Sequence, residues 1–395
     1  MESGVKKKIL IVHNYYQIPG GEDTVVANEK RLLEEHGHQV VLYTRHNSEL
    51  KEFSKVQKLL LPFSTIFNMR TYREVKSVIE KEKIDVLHVH NTLNLVSPSV
   101  YYAGFHKKIP VVQTVHNFRL LCPGATFYRE GKVCEDCVKK GMLCAVKHSC
   151  YRGSKVQTIA CVVSIQLHRL IGTYKKLNYI CLTEFNKEKL LQLKQVRKEK
   201  VFVKPNFVFG HQAKLELARN LHQFVYVGRL EEIKGISVLL EAWKMLGKKA
   251  PELILCGTGP LEAWCREYVK ENQMRNVHLK GFVPNEEVQE IIAQSAALIL
   301  PTQVYEGFPM TIVEAYGKGT PVIASDLGNA GNLVISGITG KRFSYQSAEA
   351  LADAVRNFGI YDSAQIREIY QEKYSAEKNY EELRKIYEHV SHKES

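Results

Sequence analysis

Two glutamates eight positions apart, Glu306 and Glu314, flank a Gly-Phe-Pro turn in the stretch EGFPMTIVEAYGKGTPVIAS. Pro309 suits the opening turn of a helix, where its missing N–H costs nothing; Met310 to Lys318 then reads as helix, Gly319 as its stop and TPVIAS as a strand. A helix start offers unpaired N–H groups and a partial positive charge, so Phe308 to Thr311 suit an anion such as a diphosphate. Helix side chains lean toward the N-terminus and five residues rise only about 8 Å, so Glu314 can reach back to a group one step from the phosphate, such as a ribose hydroxyl pair. Glu306 approaches from the other side, where a second substituent of the phosphate would lie. The spacing suits a nucleotide diphosphate bearing a sugar; a solvated loop acid and a helix-surface acid would leave the same trace.

Other residues with chemical potential also follow apolar runs. Gly20 and Gly21 in YYQIPGGEDT follow the first run, where a missing side chain lets backbone approach a ligand or simply makes a tight turn. His116 ends TVHN, and is either a site residue or a satisfied structural histidine. Arg229 and Lys234 in VGRLEEIKG, and Gly257 and Gly259 in LCGTGP, occupy matching positions later in the chain. Five of the nine cysteines fall in CPGATFYREGKVCEDCVKKGMLCAVKHSC. Cys134 and Cys137, with Cys122 and Cys150, have the composition of a four-thiolate zinc site; reduced thiols and redox chemistry are the alternatives, and His148 or Cys144 could substitute as ligands.

These residues need elements to hold them. KKILIVHNYY, QVVLYT, IDVLHVHN, PVVQTVHN and NYICLT read as strands; DTVVANEKRLLEEHGH, REVKSVIEKEK, QTIACVVSIQLHRLIGTY and NKEKLLQL read as helices. After a less structured gap, QFVYVGR, ELILCG, VHLKGFV, AALILPT and TPVIAS restart the alternation. Near-continuous apolar strands alternating with helices predict buried parallel sheets, hence an α/β chain of two doubly wound domains joined near residues 206–221. In such sheets ligands lie beyond the carboxyl ends of the strands, where the residues above are found. The predicted organisation is a first domain over 1–205 carrying a Cys-rich insertion at 118–153, a second over 206–360, and C-terminal helices over 361–395.

The 395 residues are 45% hydrophobic and 25% charged, the balance of a soluble globular protein, with a net charge of +13. Residues 1–205 hold 34 Lys/Arg against 18 Asp/Glu, so the first half carries the whole excess. No zinc-finger spacing or aromatic ribonucleoprotein motif appears, which argues against a nucleic-acid partner. An anionic membrane surface is the preferred reading of the charge; the segment ELKEFSKVQKLLLPFSTIFNMRTYREVKS, with Lys51, Lys55, Lys58, Arg70, Arg73 and Lys76, is its candidate, against an ordinary helix with its apolar side in the core. No signal peptide or membrane-spanning run is visible, so the expected location is cytoplasmic, with peripheral membrane attachment.

GRLEEIKG, LCGTGP, GFVPNEEV and EGFPMTIVEAYGKGTPVIAS, in that order, resemble the retaining glycosyltransferases of family 4, in which the Glu-x7-Glu pair is a hallmark. The resemblance implies the GT-B fold, two Rossmann-like domains facing across a cleft, and a polysaccharide-biosynthesis context such as a capsule. It implies that Arg229 and Lys234 hold the donor diphosphate, that Glu314 binds the ribose, and that Glu306 lies beside the transferred sugar. Gly307, Phe308, Pro309 and Met310 would carry phosphate oxygens by their backbone, Gly257 and Gly259 would line the donor site, and Lys280 to Val283, including Phe282, would face the base. Gly21 and His116 would close the site from the acceptor domain. The chain has Asn117 where many members have Asp. No Asp-x-Asp motif is present, so fixed cations rather than a catalytic metal would offset the leaving charge. The implied co-substrates are a nucleotide-diphosphate sugar and a saccharide acceptor, lipid-linked in the main reading; a small soluble acceptor or phosphate, and a non-catalytic nucleotide-sugar or polysaccharide-complex binding protein, are the alternatives.

Overall fold

A computed structural model describes residues 5–17, 20–93, 95–209 and 219–392. The chain forms two compact units, one of Met1–Phe127, Glu135–Phe207 and Ala376–Ser395, the other of Tyr128–Cys134 and Val208–Ser375. These limits differ from the boundaries at 205 and 360 read from sequence. The Ser363–Tyr374 helix, grouped by sequence with the last helix, packs instead on the Met310–Gly317 helix of the second unit, and Tyr370 Oη donates to Val208 O at 2.8 Å. The Cys-rich insertion is also divided, because Tyr128–Cys134 belongs to the second unit. The expected join near 206–221 lies largely outside the described residues.

Strands β1 (Lys8–Tyr15), β2 (Gln39–His46), β3 (Val86–Val89) and β4 (Val111–Val115) precede a short hairpin, β5 (Tyr128–Arg129) with β6 (Lys132–Val133), and then β7 (Asn178–Cys181) and β8 (Val201–Val203). The first unit's sheet is wholly parallel in the order β2-β1-β3-β4-β7-β8. Strands β9 (Asn220–Val227), β10 (Glu252–Cys256), β11 (Val277–Gly281), β12 (Ser295–Leu300), β13 (Val322–Ser325) and β14 (Gly340–Phe343) make the second, parallel in the order β11-β10-β9-β12-β13-β14. The strand order therefore reverses at β1/β3 in one unit and at β9/β12 in the other, and each reversal opens a crevice at the strand ends.

Burial follows from composition. The Ala376–His392 helix turns Leu383, Ile386, Tyr387 and Val390 toward Ile9, Ile11, Val86, Val112 and Ile180 of the first sheet. Positions i, i+3, i+4 and i+7 make one helical face. Removing four large apolar side chains from water contributes on the order of 6–12 kcal/mol before ordering costs, so the last helix is part of the first unit's core. In the second unit Trp243, Leu239 and Leu240 of the Ile236–Leu246 helix meet Leu253, Leu255 and Ile299.

Candidate active site

The second unit concentrates the expected donor residues at the β9/β12 reversal. β9 ends at Val227 and delivers Arg229; a single 3-10 turn, Glu232–Lys234, then brings back Lys234 before the Ile236–Leu246 helix. Gly235 lies between them at φ +75°, and a Cβ there would sit 1.8 Å from Pro301 O. Glycine thus lets the loop after β9 touch the loop after β12. The consequence is an ion pair across the crevice: Lys234 Nζ lies 2.8 and 3.0 Å from the two Glu306 carboxylate oxygens. Thr302 Oγ1 donates to Glu306 Oε1 at 2.9 Å, and Asn329 Nδ2 donates to the backbone carbonyls of Glu306 and Gly307 at 2.7 and 2.8 Å. Thr302 and Asn329 fix the acidic loop, yet neither was marked by the sequence. Arg229 pairs with Glu231 at 2.5 Å, so the two cations expected to act together are held by different acids.

Pro309 precedes the Met310–Gly317 helix as its N-cap, and Phe308 and Pro309 are buried, which sets the helix start immediately after Glu306 and Gly307. The helix stops where sequence placed it, with Gly319 at φ +70°. Glu314 lies inside that helix; burial raises its pKa, while a hydrogen bond from Gln289 and the charge of Lys318 oppose the rise. Phe282 follows β11 and is 81% exposed, a large apolar ring presented to solvent beside Val283. Gly257 and Gly259 are required by packing of the protein's own loops. A Cβ on Gly257 would meet Gly228 O at 1.9 Å, and one on Gly259 would meet Leu230 O at 2.5 Å, so both let the post-β10 loop lie against the post-β9 loop that carries Arg229.

In the first unit, Gly21 opens the Gly21–Glu35 helix after β1, and His116 directly follows β4. His116 Nε2 is 2.9 Å from His90 Nδ1, and His90 Nε2 is 3.4 Å from Glu29 Oε2. The other Glu29 oxygen takes Lys204 Nζ at 2.6 Å, and both side chains of that pair are fully buried. Burial would raise the Glu29 pKa, but Lys204 and the neighbouring histidines outweigh it and hold the carboxyl well below its usual range. His90 lies between Glu29 and His116, and since a carboxylate only accepts, its Nε2 carries the proton that faces Glu29. Burial first, then the neighbouring His90, holds the His116 pKa well below the ordinary histidine value, so its ring is neutral. Asn117 Oδ1 accepts from Arg119 N at 3.1 Å, closing the turn after His116, a task an Asp oxygen performs equally.

Glu22, adjacent to Gly21, was missed by sequence. Burial raises its pKa to about 7, against the pull of Tyr16, Arg119 and Asn91, and Asn91 Nδ2 donates to it at 3.0 Å. Its sequence signal, an acid in a helix's first turn, is ordinary.

Among the described residues the one group of three or more metal-capable side chains with ligand atoms within 4.8 Å is Glu29, His88 and His90. Its acid already holds the Lys204 ammonium, and His88 is bonded to Tyr387 Oη and Thr114 Oγ1 at 2.7 Å each, so these groups form a hydrogen-bonded network around a cation. The four expected zinc ligands do not form such a group. None of the nine cysteines, all within the described residues, is in a disulfide; Cys134 falls in the second unit's segment and Cys122, Cys137 and Cys150 in the first's. Burial, then Cys122 and Cys150, push Cys137 up to about 12, making it a neutral thiol.

Two family models match the chain: "Glycosyltransferase Family 4" over residues 19–134 and "Glycosyl transferases group 1" over residues 222–358. Glycogen synthase of Mycobacterium tuberculosis is 30% identical over 34% of this chain and 33% of its own length. Amylovoran biosynthesis glycosyltransferase AmsK of Erwinia amylovora is 29% identical over 39% of this chain and 40% of its own. The matched stretches thus span well under half of these relatives. The crystal structure of Anabaena Alr3699/HepE in complex with UDP superposes with a TM-score of 0.66 at 16% identity, covering 96% of this chain and 98% of that one, which establishes the shared fold. With one model on each sheet and the strand order of both units in place, the chain belongs with the family 4-like glycosyltransferases of GT-B fold.

Proposed function

We propose that this protein transfers a sugar from a nucleoside diphosphate donor to a saccharide acceptor in polysaccharide biosynthesis, with retention of anomeric configuration. The observation that carries the reading is the Lys234–Glu306 pair beside the start of the Met310–Gly317 helix. Without donor, the ammonium and carboxylate neutralise one another. A diphosphate arriving at the helix start, where backbone N–H groups are unpaired, competes for Lys234 and releases Glu306 toward the sugar hydroxyls. Arg229, half-exposed and held by Glu231, is a second cation available to the phosphates. As the glycosidic bond breaks, negative charge grows on the leaving phosphate, and fixed cations stabilise it more than they stabilise the bound donor.

In this reading Glu314 takes the ribose hydroxyls and Phe282 stacks on the base, while Glu306 positions the sugar and stabilises its oxocarbenium-like centre. The leaving phosphate oxygen accepts the acceptor's proton on the same face, which gives retention without a covalent intermediate. His116, a neutral ring whose Nδ1 is not used by His90, serves as a hydrogen-bond partner for an acceptor hydroxyl. Names of relatives support the substrate class: HepE was captured with UDP, and AmsK is named for amylovoran biosynthesis. We assign the acceptor as lipid-linked and the basic first unit as the membrane-facing one, in keeping with the charge excess of residues 1–205.

Titration of UDP-, GDP- and ADP-sugars into the protein tests the donor site. One of them should bind, and Glu314→Ala should weaken it by about tenfold or more as the ribose contacts are lost. NMR of the product should show the donor's anomeric configuration; inversion would refute front-face transfer.

A further inference from the structure

The Lys55–Ile66 helix begins at the cap of Ser54, and the Lys155–Leu170 helix begins at the cap of Ser154. Both open with Lys-Val-Gln, neither contains an acidic residue, and they pack against one another, with Ser164 Oγ donating to Thr65 O at 3.3 Å and His168 Nε2 3.0 Å from Ile66 O. A helix on a water-soluble surface buries one stripe and shows charges on the other. The Lys155–Leu170 helix departs from that rule. Its inner side is occupied by Cys161, Val162 and Ile165, all buried, yet its outer side is apolar as well: Val156, Ile159, Val163, Leu167 and Leu170 are all exposed, Leu170 by 84%. At 3.6 residues per turn these five fall within an arc of roughly 80°.

The neighbouring helix repeats the pattern. Val56, Leu59, Leu60 and Phe63 share one face, and Leu59 and Phe63 are 74% and 69% exposed. The apolar side of this helix thus lies on the surface, whereas the next helix of the segment turns Val75 into the core. The surrounding charge is mainly positive, with Glu52 the exposed acid between Lys51 and Lys55. Lys51, Lys55 and Lys58 make no ion pair among the described residues. Past the end of the second helix, a groove of about 660 Å³ is lined by Lys108, Lys175, Lys176, Arg197 and Lys200 with Ile171 and no acidic side chain. Arg70 and Lys76, by contrast, are engaged by Glu74 and Glu80.

We infer that these two helices form a membrane-insertion face, their apolar stripes entering the acyl boundary of an anionic bilayer while the adjoining lysines and arginines take the headgroups. Apolar stripes without acids, flanked by cations, match the chemistry of such a surface, where buried apolar area and attraction to anionic lipid add. The inference sharpens the membrane partner proposed above and is independent of the transfer chemistry.

Sedimentation of the full chain with phosphatidylcholine vesicles, with and without phosphatidylglycerol, tests it. Binding should require phosphatidylglycerol. Leu59→Asp with Phe63→Asp, and separately Val163→Asp with Leu167→Asp, should each lower partitioning by about tenfold or more, since a charge replaces an inserted side chain. Lys175→Gln with Lys176→Gln should lower it by about fivefold per charge. Phe63→Trp fluorescence should be quenched by brominated acyl chains, a readout that surface electrostatics alone does not move. Binding that is fully released by salt with no quenching would overturn insertion while leaving electrostatic docking. Aspartate variants that bind like the parent, absence of binding to either vesicle, or a dimer that the aspartate variants dissociate would also overturn it. No donor sugar enters these assays, so their failure and failure of the transferase reading are separable.

Discussion

The two units place charge at their strand ends in opposite ways. In the second, Lys234 and Glu306 keep 29% and 13% of their side-chain surface in contact with solvent, and each could exchange its partner for a ligand group. In the first, Lys204 and Glu29 are fully buried, and the chain Glu29–His90–His116 leads from them toward the surface. The difference separates two tasks. In the proposed reading a partly exposed pair is a place-holder for substrate, since solvent weakens its Coulomb energy. A buried pair is fixed, since breaking it strands a charge in a low-dielectric interior.

The comparison breaks most visibly if the buried pair is cut. Lys204→Met leaves Glu29 uncompensated and should cost about 3–5 kcal/mol, whereas Lys204→Met with Glu29→Gln should recover much of that loss. Thermal or urea unfolding measures both, and equal stability of the single and double variants would show that the pair is not coupled. Cutting the exposed pair should act on rate instead. Lys234→Ala should lower turnover about 10²-fold, with unfolding unchanged within about 1 kcal/mol.

Glu22 sharpens the contrast through pH. Its folded pKa of about 7 lies above the ordinary 4.5, so the fold favours the protonated form. Its contribution is complete below pH 4.5 and is lost as pH rises toward 7, a change of about 1–3 kcal/mol. Glu22→Gln should therefore be relatively more stable at pH 8 than at pH 4.5 when each is compared with the parent in parallel melts. A constant difference across that range would place the Glu22 carboxyl near its ordinary value. The smallest effect is expected at Asn117: Asn117→Asp keeps the acceptor for Arg119 N, and stability should change by no more than about 1 kcal/mol in the same melts.

What the sequence disclosed follows this division. The parallel strands were legible because they are buried apolar runs, and Glu306, Pro309 and Gly319 announced a loop and a bounded helix by local chemistry. β8 is three residues long, and β14, Gly340–Phe343, mixes Lys and Arg with its apolar ends; both escaped a reading based on continuous apolar runs. Glu29 and Lys204 are 175 residues apart, and a glutamate on an amphipathic helix reads as solvated, so no local signal marked the pair. His88 and His90, two apart in an otherwise apolar strand, were a usable clue, because polar rings on a buried face require partners. Gly257 and Gly259 were legible as glycines after a strand end, but not their packing role, because the approaching backbone comes from another loop of the protein.

The central claim, that the second unit uses Lys234 to drive departure of a nucleoside diphosphate from a sugar, is tested most directly by nucleoside diphosphate release. Purified protein would be supplied with a panel of nucleotide sugars, with and without saccharide acceptors, and compared with Lys234→Ala. The account predicts release from at least one donor by the parent and a rate about 10²-fold lower in the variant, at equal folded fraction. Release at equal rates from both proteins, or no binding and no release from any nucleotide sugar, would contradict it.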